Sequence, residues 1–108
     1  MDEISYNDFA KLDIRIGQVL KAERLEGSDK LIKCLVDFGT EQRTIVSGLY
    51  PYIKPEELES KKFPYVVNLK PREIFGVLSE GMILAISVDE APVLLEPSGD
   101  VNPRSKIS

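Results

Sequence analysis

The side chains best suited to chemistry in this sequence are concentrated between Asn68 and Met82. A cation stands on each side of a proline, at Lys70 and Arg72, and a hydroxyl follows at Ser79. Arginine can hold a phosphate with two N–H groups or stack on a base, and an asparagine amide both donates and accepts hydrogen bonds. The proline stiffens the loop and so lowers the entropy cost of holding both cations in place. This combination favours binding to a nucleic acid, RNA in particular.

Two further cations, Lys30 and Lys33, extend this candidate site. Lys33 lies on the face of a predicted strand opposite to its apolar side chains, and Lys30 stands at the mouth of the preceding loop. Any of the four cations can also be a surface charge that only aids solubility.

The uncharged candidates also have structural alternatives. Asn68 can bond to turn backbone, and Ser79 can cap the turn into the next strand. Met82 shares the alternation of Leu84 and Ile86, and this parity favours a place in the core.

Other kinds of site lack their residues. The chain has no histidine and a single cysteine, Cys34, so we predict no zinc site, no histidine acid–base catalysis and no serine–histidine triad. Neither of the two glycine-rich phosphate-binding motifs, GxxxxGK(S/T) and GxGxxG, occurs in the sequence. The obvious carboxylate pairs, Glu56–Glu57 and Asp89–Glu90, are neighbours in sequence and do not converge on one point. We therefore expect a protein without cofactor, metal or catalytic activity.

The length of the chain predicts one domain, and its charged residues are segregated into a basic and an acidic segment. A chain of 108 residues predicts a single domain over residues 1–108. The net charge of −4 argues against a general nucleic-acid binder. However, the segment from Lys61 to Gly76 has four basic residues against one acidic, whereas Ala85 to Pro103 has four acidic residues and none basic.

The sequence also predicts a cytoplasmic protein that does not engage a membrane. No apolar run approaches the ~20 residues of a membrane-spanning helix. The acidic start of the chain lacks the basic and apolar regions of a signal peptide. Cys34 alone cannot form an internal disulfide, which fits a reducing compartment.

The predicted elements are mostly strands. Ser5 is a good cap for a short helix, Tyr6 to Lys11, with Phe9 and Leu12 as its buried side. Gly17 interrupts the alternation of the first strand and predicts a bulge or bend there. The remaining strands follow turn signals and alternate apolar residues. Their predicted ranges are Asp13–Leu25, Lys30–Phe38, Gln42–Ser47, Phe63–Leu69 and Met82–Val88, with a second short helix at Glu56–Glu59 and an apolar patch at Val93–Leu95.

This order predicts an all-β fold, a five-stranded Greek-key barrel of the OB type with short N-terminal and inter-strand helices. A parallel α/β sheet would require long crossover helices, which are absent from the pattern. In OB barrels the face of strands two and three and the loops after strands one and four bind ligands. Those loops are Glu26–Asp29 and the Asn68–Met82 stretch, which is too broken by proline and glycine to predict as one regular element.

The sequence resembles the tRNA-binding domain family found as a separate β chain or C-terminal domain of methionyl-tRNA synthetases. Similar domains occur in free-standing tRNA-binding proteins and in cytokine-like cofactors of eukaryotic synthetase complexes. The segments that carry the resemblance are Asp8–Gly17, Asp29–Leu31, Val36–Gly39, Arg43–Leu49, Pro55–Leu58, Asn68–Arg72, Gly76 and Ser79–Met82.

The resemblance implies an OB barrel that binds tRNA by shape, generally as a homodimer, and names a methionyl-tRNA synthetase catalytic chain as a candidate partner. The family's Asn-Leu-Lys-Pro and Ser-x-Gly-Met motifs fall on Asn68, Lys70, Ser79 and Met82, so Met82 is now expected at a rim that touches RNA. Arg72, Lys30 and Lys33 join the site on their chemistry. No synthetase catalytic domain is present in this sequence.

A second function is compatible with the same fold. Export chaperones of the CsaA type resemble it and bind unfolded peptide in an apolar groove. The segments Ser47–Leu49 and Ser79–Met82 favour the tRNA-binding type.

Overall fold

A computed structural model describes the whole chain, residues 1–108, as ten strands and two short helices. Neither helix has the length and apolar character needed to cross a lipid bilayer. In chain order the elements are α1 (Tyr6–Ala10), β1 (Ile14–Arg24), β2 (Ile32–Asp37), β3 (Gln42–Ser47), α2 (Pro55–Leu58), β4 (Lys62–Val66), β5 (Arg72–Ile74), β6 (Val77–Ser79), β7 (Met82–Ile83), β8 (Ala85–Val88), β9 (Ala91–Leu94) and β10 (Lys106–Ile107).

The main sheet is antiparallel and curls into an OB-like barrel. Its strand order is β3-β2-β1-β4-β7, and β10 adds to β1. At the far edge the chain returns to β3, where the Glu80 N–H donates to the Thr44 carbonyl oxygen over 2.8 Å. This arrangement confirms the predicted fold class.

Alternation along β2 builds the core as predicted. Ile32, Cys34 and Val36 are buried, as is Phe38 just beyond the strand. The ring of Phe38 meets that of Tyr65 edge to face, with centroids 5.5 Å apart, a favourable geometry for aromatic pairs. The rest of the same core cluster comes from β1, β3, α2, β4 and the loop after β3: Val19, Ala22, Ile45, Leu49, Ile53, Leu58 and Phe63.

The irregularity of β1 lies at Leu20, three residues beyond the predicted position. Val19 pairs with Val36 and Lys21 with Leu35, so Leu20 is the additional residue. Gly17 instead allows close packing, because a Cβ there would lie 2.5 Å from a methyl carbon of Val36.

The first helix is correctly capped but differs from its predicted packing. Ser5 Oγ accepts a hydrogen bond from the Asp8 N–H at 3.1 Å. No residue of α1 is buried, and Phe9 and Leu12 are 38% and 42% exposed. The prediction that these two form a buried side is wrong because no other element of the chain covers α1.

Two hairpins replace what the sequence predicted as a loop and a long strand. The Asn68–Met82 stretch contains the hairpin β5–β6. The predicted strand Met82–Val88 divides at Leu84: β7 pairs with β4 in the barrel, whereas β8 turns away and pairs with β9. The Val93–Leu95 patch therefore lies on a separate hairpin, and Val93 and Leu95 are exposed.

Candidate nucleic-acid interface

The candidate site is built on the hairpin β5–β6, which follows β4 and leans on β3. Its two-residue turn is Phe75-Gly76, with φ angles of 48° and 77°. Positive φ at both central positions is the requirement of a tight primed turn, which matches the twist of a two-stranded ribbon. The hairpin thus gives Arg72 a fixed backbone in place of a loose loop.

Asn68 anchors the start of this segment. Its Oδ1 accepts a hydrogen bond from the Asp13 N–H at 2.8 Å, and its Nδ2 donates to the Lys11 carbonyl oxygen at 2.6 Å. The amide therefore ties the exit of β4 to the link between α1 and β1. Both functions of the Asn68 amide are used within the protein.

Lys70, Arg72 and Met82 come together beside this anchor. They line one cavity of about 90 Å³ together with Leu69, and Ser79 lies in its wall. All three side chains are exposed, and neither cation has an ion-pair or hydrogen-bond partner in the chain. Met82 is 47% exposed, so the parity argument for a core position is wrong and the rim position implied by the resemblance fits.

Ser79 is buried beneath that surface. Only 5% of the residue is exposed, and its hydroxyl accepts from the Val46 N–H at 2.9 Å while donating to the Gly81 carbonyl oxygen at 3.4 Å. The bond with Val46 fastens the end of β6 to β3, and the bond with Gly81 fixes the turn that follows β6. The hydroxyl holds the hairpin in place and does not face the solvent.

Lys30 and Lys33 lie apart from this cluster. Lys33 Nζ is 3.8 Å from Glu23 Oε1, and the side chain lines cavities on the β1–β2–β3 face and under the hairpin turn, beside Phe75. Lys30 is exposed in the loop after β1. Neither lines a described cavity with Lys70 or Arg72, so the structure brings together only part of the predicted set.

A further supporting residue is Arg43 on β3, which is absent from the residues predicted for the site. Its Nη1 donates to the carbonyl oxygens of Val67 at 2.6 Å and Glu80 at 3.2 Å, and its Nε donates to Glu41 Oε1 at 3.0 Å. It therefore joins both ends of the segment that carries the hairpin. The i, i+2 spacing of Glu41, just before β3, and Arg43, within it, was the available signal, because extended backbone places such side chains on one face.

Next to Arg72 and Met82 lies a more open and largely apolar cavity. It has a volume of about 440 Å³ and is walled by β3, the loop after it and the start of β9. Its apolar members include Leu31, Val46, Leu49, Ile74 and Ile83.

The single thiol of the chain lies in the core, away from this site. Burial, followed by the charge of Glu59, raises the pKa of the Cys34 thiol to about 12, so the sulfur is protonated at neutral pH. No group of three or more histidine, cysteine, aspartate or glutamate side chains is placed to hold a metal ion.

Fold and surface chemistry together define an OB-like barrel with an exposed cationic patch, and a family model identifies the family. The model described as "Putative tRNA binding domain" matches residues 14–106, so this chain belongs to that family. It is 53% identical over 106 residues to the methionine–tRNA ligase of Archaeoglobus fulgidus, covering 98% of this chain and 16% of the ligase. It is 47% identical over 108 residues to the methionine–tRNA ligase of Methanocaldococcus jannaschii, covering 99% of this chain and 17% of the ligase. The chain thus spans about a sixth of the length of these curated relatives.

Solved structures agree with this assignment. A MetRS-related protein from Pyrococcus horikoshii has a TM-score of 0.96 and 41% identity, covering 100% of both chains. The chaperone CsaA from Bacillus anthracis has a TM-score of 0.89 and 29% identity, covering 99% of this chain and 100% of its own. The resemblance to the tRNA-binding domains of methionyl-tRNA synthetases is therefore confirmed, and the chaperones share the fold.

Proposed function

We propose that this chain binds tRNA by its shape and acts as a homodimeric accessory subunit or domain of a methionyl-tRNA synthetase. In this role it raises the affinity of the synthetase for tRNA and performs no catalysis itself. It works in the cytoplasm and requires no cofactor.

The observation that carries the proposal is the pair of exposed cations at the base of the hairpin. Lys70 and Arg72 have no protein counter-charge and line one cavity together. Of the other 12 cations of the chain, six are paired with carboxylates, and none of the 12 lines that cavity. An unpaired cation is free to neutralise a phosphate, and the hairpin backbone of Arg72 is already ordered, so that part of the entropy cost of binding is avoided. Met82 adds a soft apolar surface beside them, suited to a base or a ribose.

The net charge of −4 supports recognition of shape over general adhesion. A protein that relied on charge alone would present a broad basic surface. Here a small cationic patch stands on a domain that is acidic overall, so binding requires phosphates at particular positions. Asn68, Ser79 and Arg43 contribute by fixing where the patch stands.

Homodimer formation is supported by exposed apolar side chains in two regions. The first surrounds α1, with Ile4, Tyr6, Phe9 and Leu12, and the second is the hairpin β8–β9 with the residue after it, where Ile86, Val88, Val93 and Leu95 are exposed. Apolar patches of this kind mark association surfaces. Sedimentation velocity of the parent, Phe9→Glu and Val93→Glu identifies which region is used, and a monomeric parent at working concentration removes the dimer from the proposal.

The function is tested by comparing three labelled ligands across a salt series: whole tRNA, a tRNA minihelix and an unfolded peptide. We expect whole tRNA to bind best, with an affinity that falls as salt rises because phosphate neutralisation releases counterions. Peptide binding that is independent of salt, with no affinity for tRNA, would contradict the proposal.

The second candidate function is peptide binding of the chaperone type. Two observations favour it: the likeness to CsaA proteins from Bacillus anthracis and Picrophilus torridus, both with TM-scores of 0.89, and the apolar cavity of about 440 Å³. Ala85→Asp places a charge at an exposed wall of that cavity without disturbing the buried core. It weakens peptide capture if this candidate is right, and a control at the exposed Tyr52, Tyr52→Asp, leaves capture unchanged.

A further inference from the structure

A second cationic cavity lies at the junction of β1, β3 and the C-terminal segment. It has a volume of about 200 Å³ and is lined by three arginines, Arg15, Arg43 and Arg104, with the carboxylates of Asp13 and Glu41 and the apolar Phe38 and Val67. Three guanidinium groups against two carboxylates leave this cavity positive in an otherwise acidic protein.

The two carboxylates orient the arginines and leave donors unused. Arg15 Nε donates to Asp13 Oδ1 at 2.6 Å and its Nη1 to the Arg104 carbonyl oxygen at 3.3 Å, while its Nη2 group has no acceptor in the chain. The Arg104 guanidinium has no protein acceptor at all. Arg15 and Arg43 are held with only 27% and 24% of their side chains exposed, which pre-organises them and lowers the cost of binding.

Two unfavourable features meet at this cavity. Arg104 has a φ of 78°, a left-handed backbone that side chains other than glycine adopt at a cost. Arg15 stands directly opposite Lys106 in the β1–β10 pairing, and like charges in that position repel. Lys106 does not itself line the cavity, and an anion bound at Arg15 would offset the repulsion between the two cations.

We propose that this cavity binds a phosphate-type oxyanion through Arg104 and Arg15, with Arg43 behind them. Guanidinium groups match the geometry of phosphate oxygens and can form paired hydrogen bonds to them. The oxyanion can be free phosphate or a phosphodiester of a nucleic-acid backbone. Arg43 also bonds to Val67 and Glu80 at the base of the Asn68–Met82 stretch, so a backbone phosphate here would adjoin the interface described above. Of the two sources, only the nucleic-acid phosphodiester rests on the proposed function.

The site itself is tested with inorganic phosphate and without RNA. The side-chain Nε–Hε resonances of Arg15 and Arg43 are followed by NMR as phosphate replaces chloride at constant ionic strength and pH. We expect saturable shifts in the parent and about tenfold weaker binding in Arg104→Asn, since a charge-assisted hydrogen bond is lost. Asparagine tolerates the left-handed backbone of this position, and Arg104→Lys, which keeps the charge, recovers part of the affinity.

A control variant removes one charge elsewhere. Lys54→Gln acts at an exposed lysine beside α2 and leaves phosphate binding unchanged. Shifts that grow linearly without saturation in the parent, or equal binding by the parent and Arg104→Asn, would overturn the proposal.

The salt dependence of tRNA binding identifies the source of the oxyanion. If a backbone phosphate occupies the cavity, the slope of log affinity against log salt is shallower by about 1 in Arg104→Asn than in the parent. An unchanged slope, together with saturable phosphate binding, assigns the cavity to free phosphate. Failure of the main interface is recognised separately, because Lys70→Ala and Arg72→Ala then bind tRNA like the parent while the phosphate titration is unaffected.

Discussion

Asn68 Oδ1 accepts a hydrogen bond from the Asp13 N–H at 2.8 Å, across 55 positions of the chain. Together with the bond from Asn68 Nδ2 to the Lys11 carbonyl oxygen, it fixes the exit of β4 against the start of β1. A motif residue that the sequence places at an RNA surface thus has its polar groups occupied inside the protein. Its contribution to binding, on this geometry, is to position the neighbouring Lys70 and Arg72.

The first prediction concerns this anchor. Asn68→Ala removes two hydrogen bonds and lowers the free energy of unfolding by about 1–3 kcal/mol, because each contributes about 0.5–1.5 kcal/mol. Urea denaturation measures this loss, and tRNA affinity falls with it. Asn7→Ala, at an exposed asparagine of α1 without side-chain hydrogen bonds, is the matched control. Unchanged stability in Asn68→Ala would show that the anchor is dispensable.

The second prediction concerns the buried hydroxyl of Ser79. Ser79→Ala leaves the Val46 N–H without its partner, and an unsatisfied buried donor costs about 1–3 kcal/mol. Ser47→Ala is the control, because Ser47 lies at the end of β3 and its hydroxyl makes no hydrogen bond within the chain. If both variants unfold at the same urea concentration, the Ser79 bond does not contribute to stability.

Gly17 gives a prediction about packing. A Cβ at this position would lie 2.5 Å from Val36 Cγ1 and 2.7 Å from a ring carbon of Phe38. Gly17→Ala therefore destabilises the barrel by about 1–3 kcal/mol through overpacking. At Gly48 nothing lies within 4 Å of an added Cβ, so Gly48→Ala serves as the control and should change stability far less. Thermal unfolding of the two variants compares them directly, and equal melting temperatures would refute the close packing of β1 on β2.

The raised pKa of Cys34 predicts that the stability of the protein falls at alkaline pH. Its folded pKa is raised from the ordinary value of 9.0 to about 12, so the unfolded chain loses this proton at lower pH than the folded chain. Stability is therefore fully present below pH 9 and declines as pH rises toward 12, by about 1.4 kcal/mol per pH unit for this group. Burial raises the pKa of Tyr65 as well, which adds to the decline above its ordinary value.

The measurement for Cys34 is urea denaturation between pH 8 and pH 11, with Cys34→Ala as reference. The parent should lose more stability than the variant over this range. In the native protein the buried thiol should also resist alkylation at neutral pH. Parallel pH profiles for the two proteins would count against the raised pKa.

The barrel was predictable from the sequence because its strands alternate clearly. Ile32, Cys34 and Val36 point inward, and the polar residues between them do not, so the face of β2 could be assigned from period alone. The two hairpins outside the main sheet were missed for a conformational reason. Their turns place Phe75, Asp89 and Glu90 at positive φ, and neither Phe-Gly nor Asp-Glu is among the dipeptides that signal a primed turn.

The candidate site was predictable in composition but not in geometry. Residue type shows what Asn68 and Ser79 can bond to, whereas only the fold shows that backbone groups of Asp13 and Val46 reach them first. Lys33 is separated from Lys70 and Arg72 because it lies elsewhere on the barrel surface, beside Glu23. The internal hydrogen bonds of Asn68 and Ser79 and the separation of Lys33 both depend on distances between strands that are remote in sequence. Hydrophobic periodicity gives no information about those distances.

The central claim is that Lys70 and Arg72 contact the phosphates of tRNA. It is tested by measuring whole-tRNA affinity over a salt series for the parent, Lys70→Ala, Arg72→Ala and the control Lys54→Ala, with unfolding curves for each. We predict that both site variants bind more weakly, each with a salt slope shallower by about 1, at unchanged stability, while Lys54→Ala matches the parent. Parent-like affinity and slope in both site variants would contradict this account of the interface.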